Sequence, residues 1–386
     1  MRYNVGVHPS TTPFLAVLIL SACAPDYGLK AQAPDVDPAD ITDCGFSPVL
    51  DDGGASTGFW SYDCNPVFTT TGEAWAPQID NSAFLVTEVL GHPFYQLWYT
   101  GVDSENPEGW KLGYAVSAEG TDWIPSDANP LMSSTDDSWD ASSMDAMQVA
   151  WDPDTSQYVL IYQGLSYDQG NLDIGVLTSP DGLNWTALPQ NPVYDLMQPA
   201  AGLDGWCWPL GLDLGPVAGF TGYLAGYDAR ANTCSAYELN ASDLTSWTPS
   251  SQSIFAAGAP DAWDDMGQIA IAIAALDQTE YLFYVGFGDW QASGSYQMSQ
   301  HQFLGMATKN AEGKWDRRRD VIPINNTENG DIGTVAARTV GSRVHLWVTD
   351  DWDGAPGVGY FIYDPLGTMD ESFEDSAEDS AEGAGR

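Results

Sequence analysis

The chain has 386 residues, with 54 Asp and Glu against 12 Lys and Arg, giving a formal charge of −42. Lys111 is the only Lys or Arg between residues 31 and 229; such a surface repels phosphates and anionic head groups, which excludes nucleic acid as a natural partner and fits a solvated, soluble exterior. Sixteen Trp, 18 Tyr, 39 Gly and 24 Pro argue against a helical bundle and for a turn-rich β fold, because Gly and Pro end helices while aromatics suit half-buried strands.

The first segment is a targeting signal. Arg2 gives a weak positive start, Pro13 to Leu20 (PFLAVLIL) is apolar but short for a bilayer span, and Leu20-Ser21-Ala22-Cys23 follows. Leu-Ser-Ala-Cys resembles the bacterial lipobox, which implies residues 1–22 as a lipoprotein signal peptide and Cys23 as the lipid-bearing first residue of the mature protein. An ordinary secretory signal cut nearby is the alternative; on either reading the chain is exported, and the lipobox reading anchors it in a membrane facing the periplasm or cell surface. Residues 23–45, rich in Pro, Ala and Asp, read as a flexible tether, and residues 367–386 as an acidic, disordered tail.

Cys44, Cys64, Cys207 and Cys234 remain, an even number that in an exported chain argues for disulfides. Three pairings are open, and order along the chain favours Cys44 with Cys64 and Cys207 with Cys234. A zinc site is the weaker reading, since no two cysteines are close in sequence and the histidines are scattered.

The fold is written in a repeat. Trp60, Trp123, Trp185, Trp247 and Trp315 lie 63, 62, 62 and 68 residues apart. The strings SAEGTDW, SPDGLNW, NASDLTSW and KNAEGKW end at four of them, each reading as a turn followed by a strand. Asn65-Pro66, Asn129-Pro130 and Asn191-Pro192 follow three of the tryptophans at about the same offset.

Three further strands align in every unit. The first reads WAPQID from Trp75, DAMQVAWD from Asp145, CWPLGLDL from Cys207, DMGQIAIA from Asp265 and DIGTVAAR from Asp331. The second reads FYQLWYTG, YVLIYQG, GYLAGYD, YLFYVG and RVHLWVTD, and the third KLGYAVS, DIGVLTS, TCSAYEL, FLGMATK and VGYFIYD. The last unit lacks its tryptophan strand, and the strand at Trp60 lacks a unit, so the economical architecture is an all-β, five-bladed β-propeller over residues 46–366 whose ring is closed by the N-terminal strand around Trp60. The repeating tryptophans are expected to pack between neighbouring blades, and the molecule to be a monomer.

Five units of about 62 residues carrying a YxLWYTG-like strand, an S-x-D/E-G-x-x-W turn and Asn-Pro resemble the five-bladed propeller glycoside hydrolases, the arabinanase, xylosidase, invertase and levansucrase group. WAPQI at Trp75 to Ile79 is similar to the WAPDI string of the arabinanase and xylosidase branch. The resemblance implies a central funnel with three carboxylates: a base or nucleophile, an Asp that tunes proton affinity, and a Glu acid. Glycoside cleavage needs one carboxyl group to protonate the leaving oxygen and another to activate water or attack the sugar. Two positions depart from the pattern, with Gln78 where WAPDI has its Asp and Cys207 where a Glu acid is implied.

Aligning the first strands places Gln78, Gln148 and Gln268 in one layer and Asp145, Asp265 and Asp331 in another, three residues earlier. Those three aspartates are the candidate catalytic set, with Glu73 and Asp63 as further carboxylates; the alternative is that they cap strand ends. Trp75, Gln78, Gln148, Trp206, Trp208 and Gln268 are the candidate sugar-binding residues, and Trp139, Trp263 and Trp290 lie where stacking on a sugar or blade packing is expected. Asp136-Asp137 and Asp350, Asp351 and Asp353 could supply oxygens to calcium, but no loop has a recognised ligand spacing, so neither metal nor cofactor is assigned. Two functions follow: a lipid-anchored glycosidase acting on poly- or oligosaccharides, or a catalytically degenerate propeller that binds glycan or protein at the cell surface.

Overall fold

The computed structural model describes residues 44–51, 53–70, 75–102, 109–135, 138–166, 168, 170–196, 203, 205–206, 219–260, 262–288, 302–318, 321–322, 332–352 and 355–367. The signal, most of the tether, the tail, and the assignments at Cys23, Glu73, Asp136, Asp137, Cys207, Trp208, Trp290, Asp331 and Asp353 lie outside them. So does most of the strand expected from Cys207; Gly205 and Trp206 are described only as backbone, paired with Tyr227 and Gly226.

The described chain is all-β, in four sheets. Sheet I runs through Gln78–Val89, His92–Val102 and Lys111–Ser117, and sheet II through Ser143–Asp152, Gln157–Ser166 and Asn171–Ser179. Sheet III joins Phe220–Asp228, Thr233–Ala241 and Trp247–Phe255 to Gly267–Leu276, Thr279–Phe287, Gln302–Lys309 and Trp315–Arg317. Sheet IV holds Thr334–Val340, Arg343–Trp352 and Ala355–Tyr363, and then the two N-terminal strands Ser56–Tyr62 and Phe46–Leu50. The strand carrying Trp60 thus pairs antiparallel with the last strand of the chain, Trp60 opposite Ile362.

Sheet III differs from the sequence expectation, which kept its two halves apart. A single parallel bridge between Cys234 and Gly267 joins them. Gly267, at φ 130°, lets the backbone approach so closely that a Cβ there would stand 2.0 Å from the Cys234 carbonyl oxygen; no other residue permits that contact.

The core lies between sheets. Phe84 stacks on Trp347 across I and IV, with ring centroids 4.9 Å apart and an angle of 11°. Trp98 meets Tyr158 and Trp185 across I and II. Val159 and Ile161 pack with Leu224, Leu239 and Trp247 across II and III, and Phe59 meets Phe283 edge-on across IV and III. Such aromatic pairs each add about 0.5–1.5 kcal/mol beyond the area they bury.

The repeated motifs are the fasteners of this packing. In SPDGLNW the Ser179 hydroxyl accepts from the backbone N–H of Asp181 and Gly182, while an Asp181 carboxylate oxygen accepts from those of Leu183 and Asn184. The closed turn then offers the Gly182 carbonyl to the indole N–H of Trp98 in sheet I, at 2.8 Å. The Gly120 carbonyl of the equivalent turn accepts from Trp347 of sheet IV, at 3.3 Å, and from Trp123, at 3.1 Å.

Each Asn-Pro is a clamp. Asn65, Asn129 and Asn191, before cis prolines, use the side-chain amide like a strand backbone. Asn129 accepts from the Tyr114 N–H at 2.8 Å and donates to the Tyr114 carbonyl at 3.0 Å. Asn191 treats Val176, and Asn65 treats Tyr360, in the same way.

A third fastener recurs in three units and takes up Trp139 and Trp263, for which packing was one of the two expectations, together with Trp75, expected to bind sugar. Trp75 stacks on Tyr99, Trp139 on Tyr162 and Trp263 on Tyr284, with interplanar angles of 25°, 27° and 12°. Two glycines in each unit make room for the ring pair. In sheet II, a Cβ on Gly164 would lie 2.2 Å from Trp139 and one on Gly175 2.6 Å from Tyr162. Cys44 and Cys64 form a disulfide that ties together the ends of the two N-terminal strands, and Cys234 is also disulfide-bonded. Replacing Gly175 by Ala is expected to cost about 1–3 kcal/mol through overpacking against both rings, read as a lower midpoint in denaturant unfolding with an unchanged slope.

Candidate functional site

The site begins with a break in strand regularity. Three strands lose register near their N-terminal ends: Gln78–Val89 between Ile79 and Ser82, Ser143–Asp152 between Asp145 and Gln148, and Gly267–Leu276 between Gln268 and Ala270. A bulge frees residues from the ladder and re-aims their side chains. In sheet II the distortion places Ala146 at φ 46°.

The glycine closing each second strand supplies a common frame. Ile79 lies opposite Gly101, Met144 opposite Gly164, and Gln268 opposite Gly286. The next residue along is therefore Asp80 in sheet I, Asp145 in sheet II and Ile269 in sheet III. Two of the three are carboxylates, and they meet.

The carboxyl groups of Asp80 and Asp145 lie side by side, close enough for each to act on the proton affinity of the other. The Asn81 amide N–H donates to Asp145 Oδ1 at 3.4 Å, and its carbonyl oxygen accepts from the Ala146 backbone N–H at 3.1 Å, so one side chain stitches the two bulges. Ser143 also donates to Asp145 Oδ1, and the Asn81 backbone N–H donates to Thr100 Oγ1 at 3.1 Å. On the other flank Ser82 bonds Thr349 at 2.7 Å, and Thr334 donates to Thr349 at 2.8 Å, continuing the polar belt into sheet IV.

Both aspartates are partly open to solvent, yet protein surrounds most of each carboxyl group. Burial, then the neighbouring Asp80 charge, push Asp145 up to about 7, while the Ser143 hydrogen bond opposes them. Burial also raises Asp80, against the hydrogen bonds it receives from Asn81 and Asp145. In physical terms, two carboxylates this close in a poorly hydrated place hold one proton between them. An acid poised near neutrality can protonate a departing oxygen.

The other sequence-derived candidates are placed differently. Asp265 is half-buried in the turn before its strand, its backbone N–H bonded to Ala262 and its carboxyl beside Gly288. It is not the counterpart of Asp145, whose level in sheet III is taken by Ile269. Nor do the three glutamines share one layer: Gln78 lies before its bulge opposite Val102, Gln148 after its bulge opposite Ile161, and Gln268 opposite Gly286 with its amide bonded to the Ala256 carbonyl at 3.1 Å. Alignment by string slipped because bulges add residues that no string displays.

Trp75, Trp139 and Trp263 are occupied as the stacking partners already described, which makes them packing elements. Their neighbours Asp140 and Asp264 are fixed structurally: Asp140 accepts from Tyr162 Oη at 2.7 Å, while Asp264 accepts from Tyr284 Oη at 2.8 Å and pairs with Arg317 at 3.0 Å. Asp63 donates its backbone N–H to the Gly45 carbonyl beside the disulfide, far in sequence from the bulges. Among the described residues no group of three or more His, Cys, Asp or Glu is arranged to hold a metal ion.

No family model matches the sequence, and no curated protein matches it. Solved structures do match in fold. A glycosyl hydrolase from Bacteroides ovatus is similar with a TM-score of 0.55 and 17% identity over 87% of this chain and 96% of its own. A structure from the GH130 family of mannoside phosphorylases, which contains glycoside hydrolases targeting β-1,2 mannosidic linkages in Candida mannan, gives 0.53 and 17% over 86% and 97%. The β-1,2-mannobiose phosphorylase from Listeria innocua gives 0.53 and 12% over 79% and 96%. The shared property at these identities is the architecture.

The elevated proton affinity has a consequence for stability. Because Asp145 binds its proton more tightly when folded than an ordinary Asp near 4, its contribution is complete below that range and is lost as pH rises through about 7. Asp173, raised to about 6 by burial and by Asp195, acts in the same direction. His345, lowered to about 4 by burial and by Arg343, acts in the opposite direction below its ordinary value near 6.5, so thermal melts are expected to show a falling midpoint between about pH 6.5 and 8, with Asp145→Asn showing a smaller fall there.

Proposed function

We propose that this chain is a glycoside hydrolase built as a five-bladed β-propeller, exported and held at a membrane through a lipid on Cys23. Sheets I, II and IV each supply one blade and sheet III two, with the N-terminal strands completing the last. The packing of I on II, II on III, III on IV and IV on I supports a ring. The observation that carries the function is the pairing of Asp80 with Asp145 at adjoining bulges, bridged by Asn81, where burial and the neighbouring charge raise the proton affinity of Asp145.

In this reading Asp145 is the general acid. It gives its proton to the glycosidic oxygen as the C–O bond breaks, and Asp80 is the neighbouring charge that keeps that proton available near neutral pH. The two carboxyl groups lie side by side, hence closer than the about 5 to 10 Å that separates an acid from a nucleophile or base across a sugar. The group that attacks or activates water is therefore a third carboxylate, for which Asp265 and Asp331 remain the candidates. Glycoside hydrolases and mannoside phosphorylases of the same architecture support a carbohydrate substrate.

The test is turnover by the full-length protein of a panel containing β-1,2-mannobiose and arabino-, xylo-, fructo- and manno-oligosaccharides. Asp145→Asn is expected to lower kcat by roughly 10²–10⁴-fold, the usual contribution of a positioned acid. Asp80→Asn, which removes the like charge, is expected to move the alkaline limb of the pH profile to lower pH. A folded wild-type protein inert toward the whole panel, or an Asp145→Asn variant with full activity, contradicts the assignment. For localisation, Cys23→Ser is expected to release the protein from the membrane fraction.

A further inference from the structure

One buried group beside the acid has no structural task. Gln163 is 1% exposed, and neither its amide nitrogen nor its carbonyl oxygen has a hydrogen-bond partner. It lies directly opposite Asp145 in the pairing of the first two strands of sheet II. A buried amide with nothing bonded is costly, and native proteins leave few of them.

Its counterparts in the neighbouring sheets sharpen the anomaly. Thr100, one residue before Gly101, uses its hydroxyl to accept from the Asn81 backbone N–H. Thr349, in the corresponding place in sheet IV, bonds both Ser82 and Thr334. At this level the second strand supports the first through a saturated side chain in sheets I and IV. In sheet II, among the described residues, the polar side chain at this place is left open.

We propose that Gln163 is a positioning residue for Asp145, its amide N–H groups held ready for the carboxylate that forms when the proton leaves. While Asp145 is protonated it donates to Asp80 and needs no further donor. When the proton passes to the leaving oxygen, two anions face each other, and Asn81 and Ser143 both donate to the single oxygen Oδ1. The Gln163 amide then supplies a further donor to the new charge. Asp80 is the charged group acting on Asp145, so Gln163 and Asp80 work in opposite senses: one eases loss of the proton, the other delays it. A side chain that stability alone would replace is retained where the fold serves a site.

This role rests on Asp145 being the proton donor, but its test needs no turnover. The full-length protein, labelled at the aspartate carboxyl carbon with ¹³C, is titrated by NMR, with the Asp145 signal identified by its absence in Asp145→Asn. Gln163→Leu and the straight-chain Gln163→Met are expected to raise the Asp145 midpoint by about one pH unit, a tenfold gain in proton affinity, with the thermal midpoint unchanged or higher. Gln163→Asn, which keeps an amide, should restore part of the shift. If a substrate is in hand, the alkaline limb of kcat should move with the midpoint while KM holds. An Asp145 midpoint unmoved in Gln163→Leu and Gln163→Met overturns the proposal; so would failure of both to fold, since a side chain without partners cannot be what holds the sheet. A shifted midpoint in a protein that cleaves no glycoside would leave the positioning role standing and remove the hydrolase reading.

Discussion

Two carboxylates held against each other where water is scarce cannot both be charged, and that constraint organises the centre of this molecule. Asp80 and Asp145 come from different sheets and meet only because the strand that carries each one bulges at the same height. Asn81 fixes the meeting by donating to the Asp145 carboxyl while accepting from the Ala146 backbone. Mutual repulsion alone would drive the two strands apart. Raised proton affinity relieves that repulsion, because the pair holds a proton to higher pH than an isolated Asp would.

The surrounding scaffold explains how such a pair is tolerated. Stability comes from between the sheets, where aromatic rings from one sheet fill the face of the next, and from fasteners that repeat along the chain. The Ser-x-Asp-Gly turn presents a carbonyl to a tryptophan of the adjoining sheet, the Asn-Pro clamp reaches across to a third strand, and the Trp-Tyr stack is seated over two glycines. The stacks adjoin the bulges, since Gly101, Gly164 and Gly286, which seat them, lie opposite Ile79, Met144 and Gln268.

Much of the frame was legible in the sequence because its fasteners are short and local. A tryptophan after a tight turn, an Asn-Pro at fixed offset and strands bounded by Gly or Asp each occupy contiguous residues, so their spacing displays the repeat. Order along the chain also pointed to the pairing of Cys44 with Cys64. The site was less legible, for a physical reason. Asp80 lies two residues past Gln78 in the string that marked the first unit, but strings were aligned as if every strand were regular. A bulge shifts the face on which later residues fall, so Asp265 was matched to Asp145 although Ile269 occupies that level. Trp75 illustrates the converse: an aromatic near the expected funnel is spent on stacking with Tyr99, a role that the two glycines of its neighbouring strands, Gly101 and Gly113, could have announced.

The chemistry of the pair depends on where one proton sits, and neutron diffraction from a deuterium-exchanged crystal at neutral pH would locate it most directly. The expected map shows a single deuteron bonded to Asp145 and directed at Asp80, with Asn81 bridging the two bulges. Two bare carboxylates, or an Asp80 turned away from Asp145, would contradict it.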